Sequence, residues 1–562
     1  MVKPNQKPPS GGFWFGQNKV LFNKMKFIRE NLGYLLSIIL IGLFVYIFNL
    51  HNKLFWDDAD WILNNPAVHV LNWASIKFTF THDALAGIGQ VSNYYRPVLF
   101  ITLIFNYIVS GSSAVSYHLV SNFIHLGNSI LLFYLISRWL KSRRAAFITA
   151  LIFLVHPLQT EAVSYISGRG DPLSVFFILG GIALWLNGRR WWTAGAVMLA
   201  ILSRETAVLF PIYLGLALVA FELPGGLWGR IKASLGALLP YIGISVLYGL
   251  LRLTVLNFQN TLNFYNQANV YSTNLFVRLY TFLHVLLVYL KLMIWPTGLH
   301  MDRDIPVSLS LWTGWAWLGA LIALFLICWL FWLYKKSHNS NFPIWLFGLG
   351  LFFAALIPTM GIIPINARIY EHWLYFSIVG VAIIAGFYLD RLLSFLQKRK
   401  SALLPMVVII MIGYFSFLSI QTIRRNILWG DTESFYKNIL TYEPDDVRVL
   451  NNLGNWYSDH GDNTQARSLY EQAIAVDPSQ PAPYHNIGNI IRDQGDSQEA
   501  IIWYQKAISA DVRFHYTYES IAAIYLSENK IPEAIAILEK LQQAAPLDIN
   551  TQRIESLRQR LQ

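Results

Sequence analysis

The stretch FWDDADWILNN, residues 55–65, sets Asp57, Asp58 and Asp60 among Phe55, Trp56 and Trp61, directly after the apolar run YLLSIILIGLFVYIFNL (34–50). Carboxylates at such a place either mark a wet exit from an apolar layer or take a proton in a reaction. Four further polar turns bear on that choice. They are HPLQTEAVSYISGRGDPL, with His156, Glu161, Arg169 and Asp171; SRET, with Arg204 and Glu205; MDRD, with Asp302, Arg303 and Asp304; and INARIYEHWLY, with Arg368, Glu371 and His372. With Arg96 of the triplet Tyr95-Arg96-Pro97, each turn carries both a carboxylate and an arginine. An apolar chain retains such groups where they have work to do.

The elements that carry these turns are apolar helices. The 562 residues are 55% hydrophobic and only 13% charged, about half the charge of a soluble domain. That balance reads as a polytopic membrane protein. The net charge of +11 comes from short basic clusters between apolar runs, which suits orientation in a bilayer better than nucleic-acid binding. The one cysteine, Cys328, lies inside an apolar run, which excludes disulfides and cysteine metal sites. The first apolar run follows a basic segment and has no small-residue cleavage site after it, so it reads as an anchor.

Spans of about 20 apolar residues are expected around 33–50, 117–137, 145–155, 172–187, 191–203, 206–221, 235–256, 311–334, 343–360, 374–390 and 402–421. The runs 97–109 and 276–295 are ambiguous. All six basic clusters share one side, as cytoplasmic loops should, only if neither ambiguous run crosses. The expectation is therefore an all-α membrane domain of about eleven spans over 33–422, with 1–32 cytoplasmic and the loop 51–116 outside.

Beyond residue 422 the character changes. The blocks 451–484 and 485–518 align at a period of 34, and 519–552 continues it, the spacing of tetratricopeptide repeats. Ala466, Ala473, Ala500, Ala507 and Ala534 are small enough for paired helices to approach closely. Residues 423–450, with Tyr436 and Pro444, read as connecting helices and a half repeat, and 451–562 as an α-solenoid.

Each residue also has a plainer role. Asp58 or Asp60 would cap the helix that follows, Arg96 would reach toward an interface, and Arg204 and Glu205 would pair between span ends. His156 and Glu161 lack the spacing of a helical zinc site. The sequence requires no cofactor; a divalent cation on the first-loop carboxylates is possible, but no spacing demands it, and the metal is unknown. One chemistry uses an exposed carboxylate with several arginines at a membrane surface. The guanidinium fork matches the phosphate of a lipid-linked sugar, and a single aspartate takes the proton of an attacking hydroxyl.

The motifs WDDADWILNNPAV, YYRPVLF, HPLQTEAVSYISGRGDPL, LSRETAVLFP, YLKLMIWPTGLHMDRDIP, EHWLYFSIVG and TIRRNILWGDTESF occur in that order before the repeats. Together they resemble the O-mannosyltransferase family of transmembrane and tetratricopeptide repeat-containing proteins, from about Asp57 to the C-terminus. The resemblance implies a C-type glycosyltransferase fold and inverting transfer of mannose or another hexose from a polyprenyl-phosphate donor to Ser or Thr of a protein. It implies a catalytic role for Asp57 and Asp58, one of them the base. Arg96, Arg169, Arg204 and Arg368 are then candidates for the donor phosphate. His156, Glu161, Asp171 and Glu371 would shape the substrate site, and the repeats would engage the protein acceptor. SRET departs from the lysine-glutamate pair of animal members, and fewer repeats follow. The short chain suits a prokaryotic plasma membrane with the active site and repeats extracytoplasmic. A lipid or glycan acceptor, and a non-catalytic membrane-anchored scaffold, stand as alternatives. A transporter is disfavoured because the charges cluster at span ends rather than at mid-depth.

Overall fold

A computed structural model describes residues 12–88, 92–258, 269–336, 341–365, 367–544, 554–556 and 558–559, with side chains from Lys26 onward. Residues 1–11 of the expected cytoplasmic segment, and 545–552 of the third repeat block, lie outside the described residues. Among the described residues every regular element is a helix, as a chain of long apolar runs and 34-residue repeats requires. Two compact units form: residues 1–299 with 305–430, and residues 300–304 with 431–562.

The first unit is built from helices long and apolar enough to cross a membrane. Among the described residues ten meet that description, from Lys26–Asn49 to Leu403–Leu428. An eleventh arises if Arg143–Val155 and Pro157–Ser164, bent by 54° at His156, form one broken span. The chain is an integral membrane protein. Large apolar side chains remain exposed on the surfaces of these helices, among them Leu40, Phe325, Ile409 and Ile412, where acyl chains would cover them.

By length and composition alone, ten or eleven helices qualify among the described residues, near the expected number, and the qualifying set differs from the expected spans at two places. Leu275–Ile294 has 20 residues and meets the criterion, and at 1.5 Å per residue it is about 30 Å long, enough to cross. Arg190–Ser203 has only 14 residues and does not. Pro97–Ser110 is a shorter apolar helix, as expected.

The loop after the first span is folded, not merely wet. Asn65 and Asn72 accept hydrogen bonds from Ala67 N and Ser75 N and so start two short helices. The Asp83 carboxylate gathers the N–H groups of Leu85 and Ser92 and the Ser92 hydroxyl, each at 2.9 Å. Trp61, Ile62 and Val68 pack on Leu99, Phe100 and Leu103 of the helix Pro97–Ser110. The tryptophan-rich first loop therefore divides in two. Trp61 is core, whereas Trp73 stands exposed like an interfacial anchor.

In the second unit, helix pairs repeat as the period predicts. Ala466, Ala473, Ala500, Ala507 and Ala534 are all fully buried. Asp431, Asp446, Asp462 and Asp496 cap four of the first five helices of this unit. The turn inside each repeat needs a left-handed residue, and Gly461, Gly495 and Asn529 supply it at 34-residue intervals, with φ of 82°, 97° and 58°. Residues 300–304, read from sequence as another polar turn of the membrane domain, belong to this unit. Asp302 pairs with Arg448.

Two spans of the first unit meet at glycines. A Cβ at Gly348 would lie 2.6 Å from the carbonyl oxygen of Gly380, and one at Gly380 would collide with the Gly348 carbonyl. Gly380→Ala is expected to lower the thermal unfolding midpoint in detergent, at a cost of about 1–3 kcal/mol. Gly413→Ala, where the added carbon meets nothing within 4 Å, should not. Equal midpoints for the two variants would contradict this packing.

Candidate functional site

Within the first unit, the paired charges connect different turns rather than neighbours in sequence. Arg96 Nε donates to Glu205 Oε2 at 3.2 Å, and Tyr95 N donates to Glu205 Oε1 at 3.0 Å. Arg204 Nη1 meets Asp171 Oδ2 at 2.5 Å. His372 Nδ1 meets Glu161 Oε1 at 2.5 Å, and Glu371 N donates to Glu161 Oε2 at 3.2 Å. Arg204 and Glu205 were expected to pair with each other. They diverge instead, because Arg204 ends one helix in extended backbone and Glu205 starts the next turn.

The two adjacent aspartates take opposite environments. Trp56, at φ 59°, and the bonds Asp58 N to Phe55 O and Ala59 N to Trp56 O turn the chain sharply at this point. Asp57 is left exposed and Asp58 buried. Asp58 Oδ1 accepts from Ser167 N at 2.7 Å and Ser167 Oγ at 2.6 Å, and Oδ2 accepts from Ile166 N at 3.3 Å. Burial pushes the Asp58 carboxyl up to about 7, against the opposing pull of those hydrogen bonds. Asp57 adds to the rise by like-charge repulsion.

Asp57 and the paired charges act on one common group, Tyr94. The half-buried Tyr94 phenol is raised chiefly by loss of solvent, lowered by Arg96 and Arg204, and raised by Glu205 and Asp57. Arg96 lies over the Tyr94 ring at 4.7 Å and the Trp61 ring at 5.7 Å. Burial pulls the Arg96 guanidinium down, but Glu205 leads an opposing set that includes Tyr94 and Asp171, and the net direction is up. Arg204 moves down. Burial and the like charge of Arg96 outweigh Asp171.

The arginines differ in what they have left to offer. Arg169 is fully buried and donates to Ser121 Oγ, Thr102 Oγ1, Asn106 Oδ1 and Tyr117 O at 2.7–3.0 Å. It ties three helices together. Arg368 donates to the Ile305 carbonyl. Arg96 and Arg204 each commit one nitrogen to a carboxylate, and among the described residues their other amino groups have no hydrogen-bond partner. Arg96 keeps only a tenth of its side chain exposed, so it is part of this cluster and not a snorkelling residue.

His156 is likewise spent on structure. Its Nε2 meets Met293 O at 3.0 Å, and its Nδ1 accepts from Leu158 N at 3.3 Å, at the bend of the broken span. Glu371 accepts from Arg425 Nη2 at 2.6 Å. Arg425, buried near the end of the last apolar helix, is the residue that sequence reasoning passed over. Its signal was an arginine held within an apolar span. Among the described residues, no group of three or more His, Cys, Asp or Glu converges to hold a metal ion.

Asp171 and Arg204 line a narrow cleft of about 30 Å³ with Ser174, Thr206 and Thr359. Its remaining walls are Val175, Ile178, Tyr213, Ala355, Trp373 and Phe376. Tyr213 and Phe376 also line a second, wholly apolar gap of only about 10 Å³, bounded by Leu132, Ile136 and Leu351. A charged end thus leads into apolar walls within one helix bundle.

Comparison with known proteins bears on what such a site does. Residues 451–511 match the tetratricopeptide repeat family. Over 449 residues, 78% of its length, the chain is 25% identical to the protein O-mannosyl-transferase F38B6.6 of Caenorhabditis elegans. Over 71% of its length it is 24% identical to the human protein O-mannosyl-transferase TMTC3. Both of these similar proteins carry the name protein O-mannosyl-transferase. The match spans 62% of the worm relative and 46% of the human one. Among solved structures, the crystal structure of ArnT from Cupriavidus metallidurans bound to undecaprenyl phosphate is similar at a TM-score of 0.38 and 15% identity, over 82% of this chain and 80% of that one. The O-mannosyl-transferase relatives accord with the motifs from WDDADW to TIRRNILWGD.

The state of Asp58 has a measurable consequence. Its ordinary value is 3.8 and its folded value about 7. Between these the folded chain holds a proton that the unfolded chain has released. The stability contributed at this carboxyl is therefore greatest below about pH 4 and declines as pH rises toward 7. Thermal unfolding of wild type and Asp58→Asn across that range should show a shallower decline in the variant. An unchanged slope would mean that Asp58 is ionised throughout.

Proposed function

We propose that this protein is a membrane glycosyltransferase of the C-type fold that moves mannose or another hexose from a polyprenyl-phosphate donor to Ser or Thr hydroxyls of a protein. Transfer takes place on the extracytoplasmic side of the membrane and inverts the anomeric carbon. The observation that carries the reading is the exposed Asp57, which acts with Arg96 and Arg204 on the same Tyr94 phenol, Arg204 itself lining a cleft whose other walls are largely apolar. The names of its relatives support the same reading.

In this scheme Arg96 and Arg204 hold the donor phosphate. Their uncommitted amino groups suit its oxygens, and the lowered Arg204 gains most from an incoming anion. The isoprenoid tail lies along the cleft's apolar residues. An acceptor hydroxyl gives its proton to the Asp57 carboxylate as its oxygen attacks the anomeric carbon. The bond from that carbon to the phosphate oxygen breaks, and polyprenyl phosphate leaves with the electron pair. The two arginines stabilise the charge that develops on it. Asp58 is a positioning residue. A value of about 7 would suit a base on acidity alone, but geometry decides first, and its oxygens are buried against Ser167 and Ile166.

The test is sugar transfer by the purified protein in nanodiscs, from synthetic polyprenyl-phosphate hexoses to a Ser/Thr-rich peptide pool. Asp57→Asn is expected to lower kcat by about a hundredfold or more, the scale of a lost proton acceptor, with thermal unfolding unchanged. Asp58→Asn should retain measurable turnover while altering stability. Full activity of Asp57→Asn, or no transfer from any donor by wild type, would overturn the proposal.

A further inference from the structure

The polar turn INARIYEHWLY contributes a histidine that the scheme above leaves unused. His372 Nδ1 meets Glu161 Oε1 at 2.5 Å, and the Glu161 side chain is fully buried. The other oxygen of Glu161 accepts from Glu371 N at 3.2 Å, so the backbone beside the histidine fixes the carboxylate. The Tyr370 ring stacks on the imidazole, with centroids 5.1 Å apart and planes 22° from parallel. An ionised carboxylate only accepts hydrogen bonds, so Nδ1 carries a proton, and in the neutral ring Nε2 presents its lone pair. Nε2 has no hydrogen-bond partner among the described residues, and 12% of the His372 side chain remains exposed.

This histidine acts within the charge cluster. Asp171, Arg204, Arg96 and Asp57 all interact electrostatically with its ring, and the next residue, Trp373, lines the cleft with Asp171 and Arg204. The polar groups of the cluster divide by what they can do. Arginines offer only donors, which suit the oxygens of a phosphate. Asp171, Glu205 and Glu161 are already engaged by Arg204, Arg96 and His372. A sugar hydroxyl needs a group that accepts, and leaving it unpaired once water is displaced is costly. We propose that His372 Nε2 accepts a hydrogen bond from a hydroxyl of the donor hexose, with Glu161 as the positioning residue that sets the tautomer. His372 then favours the sugar-bearing lipid over the bare lipid phosphate that remains after transfer. The bound molecule is the donor proposed above, and the inference rests on that reading.

The experiment measures binding of synthetic polyprenyl-phosphate mannose and of polyprenyl phosphate to the full-length protein in nanodiscs, without acceptor peptide. An asparagine amide nitrogen falls near the place of Nδ1, and a glutamine amide near that of Nε2. His372→Asn therefore keeps the bond to Glu161 and deletes Nε2, whereas His372→Gln does the reverse. His372→Asn is expected to weaken binding of the mannose lipid by about two- to tenfold, the worth of one hydrogen bond. It should leave polyprenyl phosphate unchanged, and His372→Gln should retain most of the preference for the mannose lipid. Glu161→Gln should narrow that preference without lowering affinity for polyprenyl phosphate. Among monodeoxy mannose donors, one should bind wild type more weakly yet lose nothing further in His372→Asn. Equal weakening of both lipids, a loss in His372→Gln but not in His372→Asn, or wild-type affinity in His372→Asn would overturn the proposal. Wild type that binds neither lipid would overturn the donor reading, and this proposal with it.

Discussion

The carboxylate of Asp58, withdrawn from water and held by the backbone N–H groups of Ser167 and Ile166 and the Ser167 hydroxyl, joins the loop after the first span to the turn 156–171. Everything charged around it depends on that joint. It fixes where Asp57, one residue earlier, emerges. It also anchors the turn whose Arg169 ties three helices together and whose Asp171 holds Arg204. Leaving such a group buried without partners costs about 1–3 kcal/mol or more, so the loop and the turn are positioned as one piece. Adjacent aspartates thereby acquire different duties, one structural and one exposed.

The same logic separates the arginines. A guanidinium with four protein acceptors, as in Arg169, is a fastening. One that spends a single nitrogen on a carboxylate and lies over aromatic faces, as Arg96 does, keeps donors for an incoming anion. The pairs Arg96–Glu205 and Arg204–Asp171 cross between turns, so the cluster exists only when the helices have assembled. Counter-charges of this kind keep the arginines ionised in a half-buried site while burial leaves Arg204 below its ordinary value. An arriving phosphate would then meet cations that protein carboxylates have not fully neutralised.

Much of this was legible in the sequence, for identifiable reasons. Apolar runs and a 34-residue period specify helices by length and spacing, and the alanines expected at helix contacts are buried. The polar turns were legible as a set, because a membrane chain rarely retains ionisable residues without partners. Their pairing was not. Arg204 and Glu205 are neighbours in sequence but point to different partners, since the backbone changes conformation between them. Basic clusters count loops and do not measure helices: they favoured leaving 276–295 out of the spans, while its length and composition are those of a span. The difference between Asp57 and Asp58 also came from tertiary structure. Only the fold puts Ser167 beside one of them, more than a hundred residues away. Arg425 was hidden for the same reason, its partner Glu371 lying on another helix.

The central claim is that one exposed carboxylate acts as a base in a single displacement at the anomeric carbon. The stereochemistry of the product tests this most directly. A defined β-linked polyprenyl-phosphate hexose would be given to the purified protein, and the glycosidic linkage formed on the peptide would be read by NMR. A single base and direct attack predict inversion, an α-linked sugar. A β-linked product would require two displacements through a covalent sugar–enzyme intermediate, with a carboxylate as nucleophile, and would contradict the account.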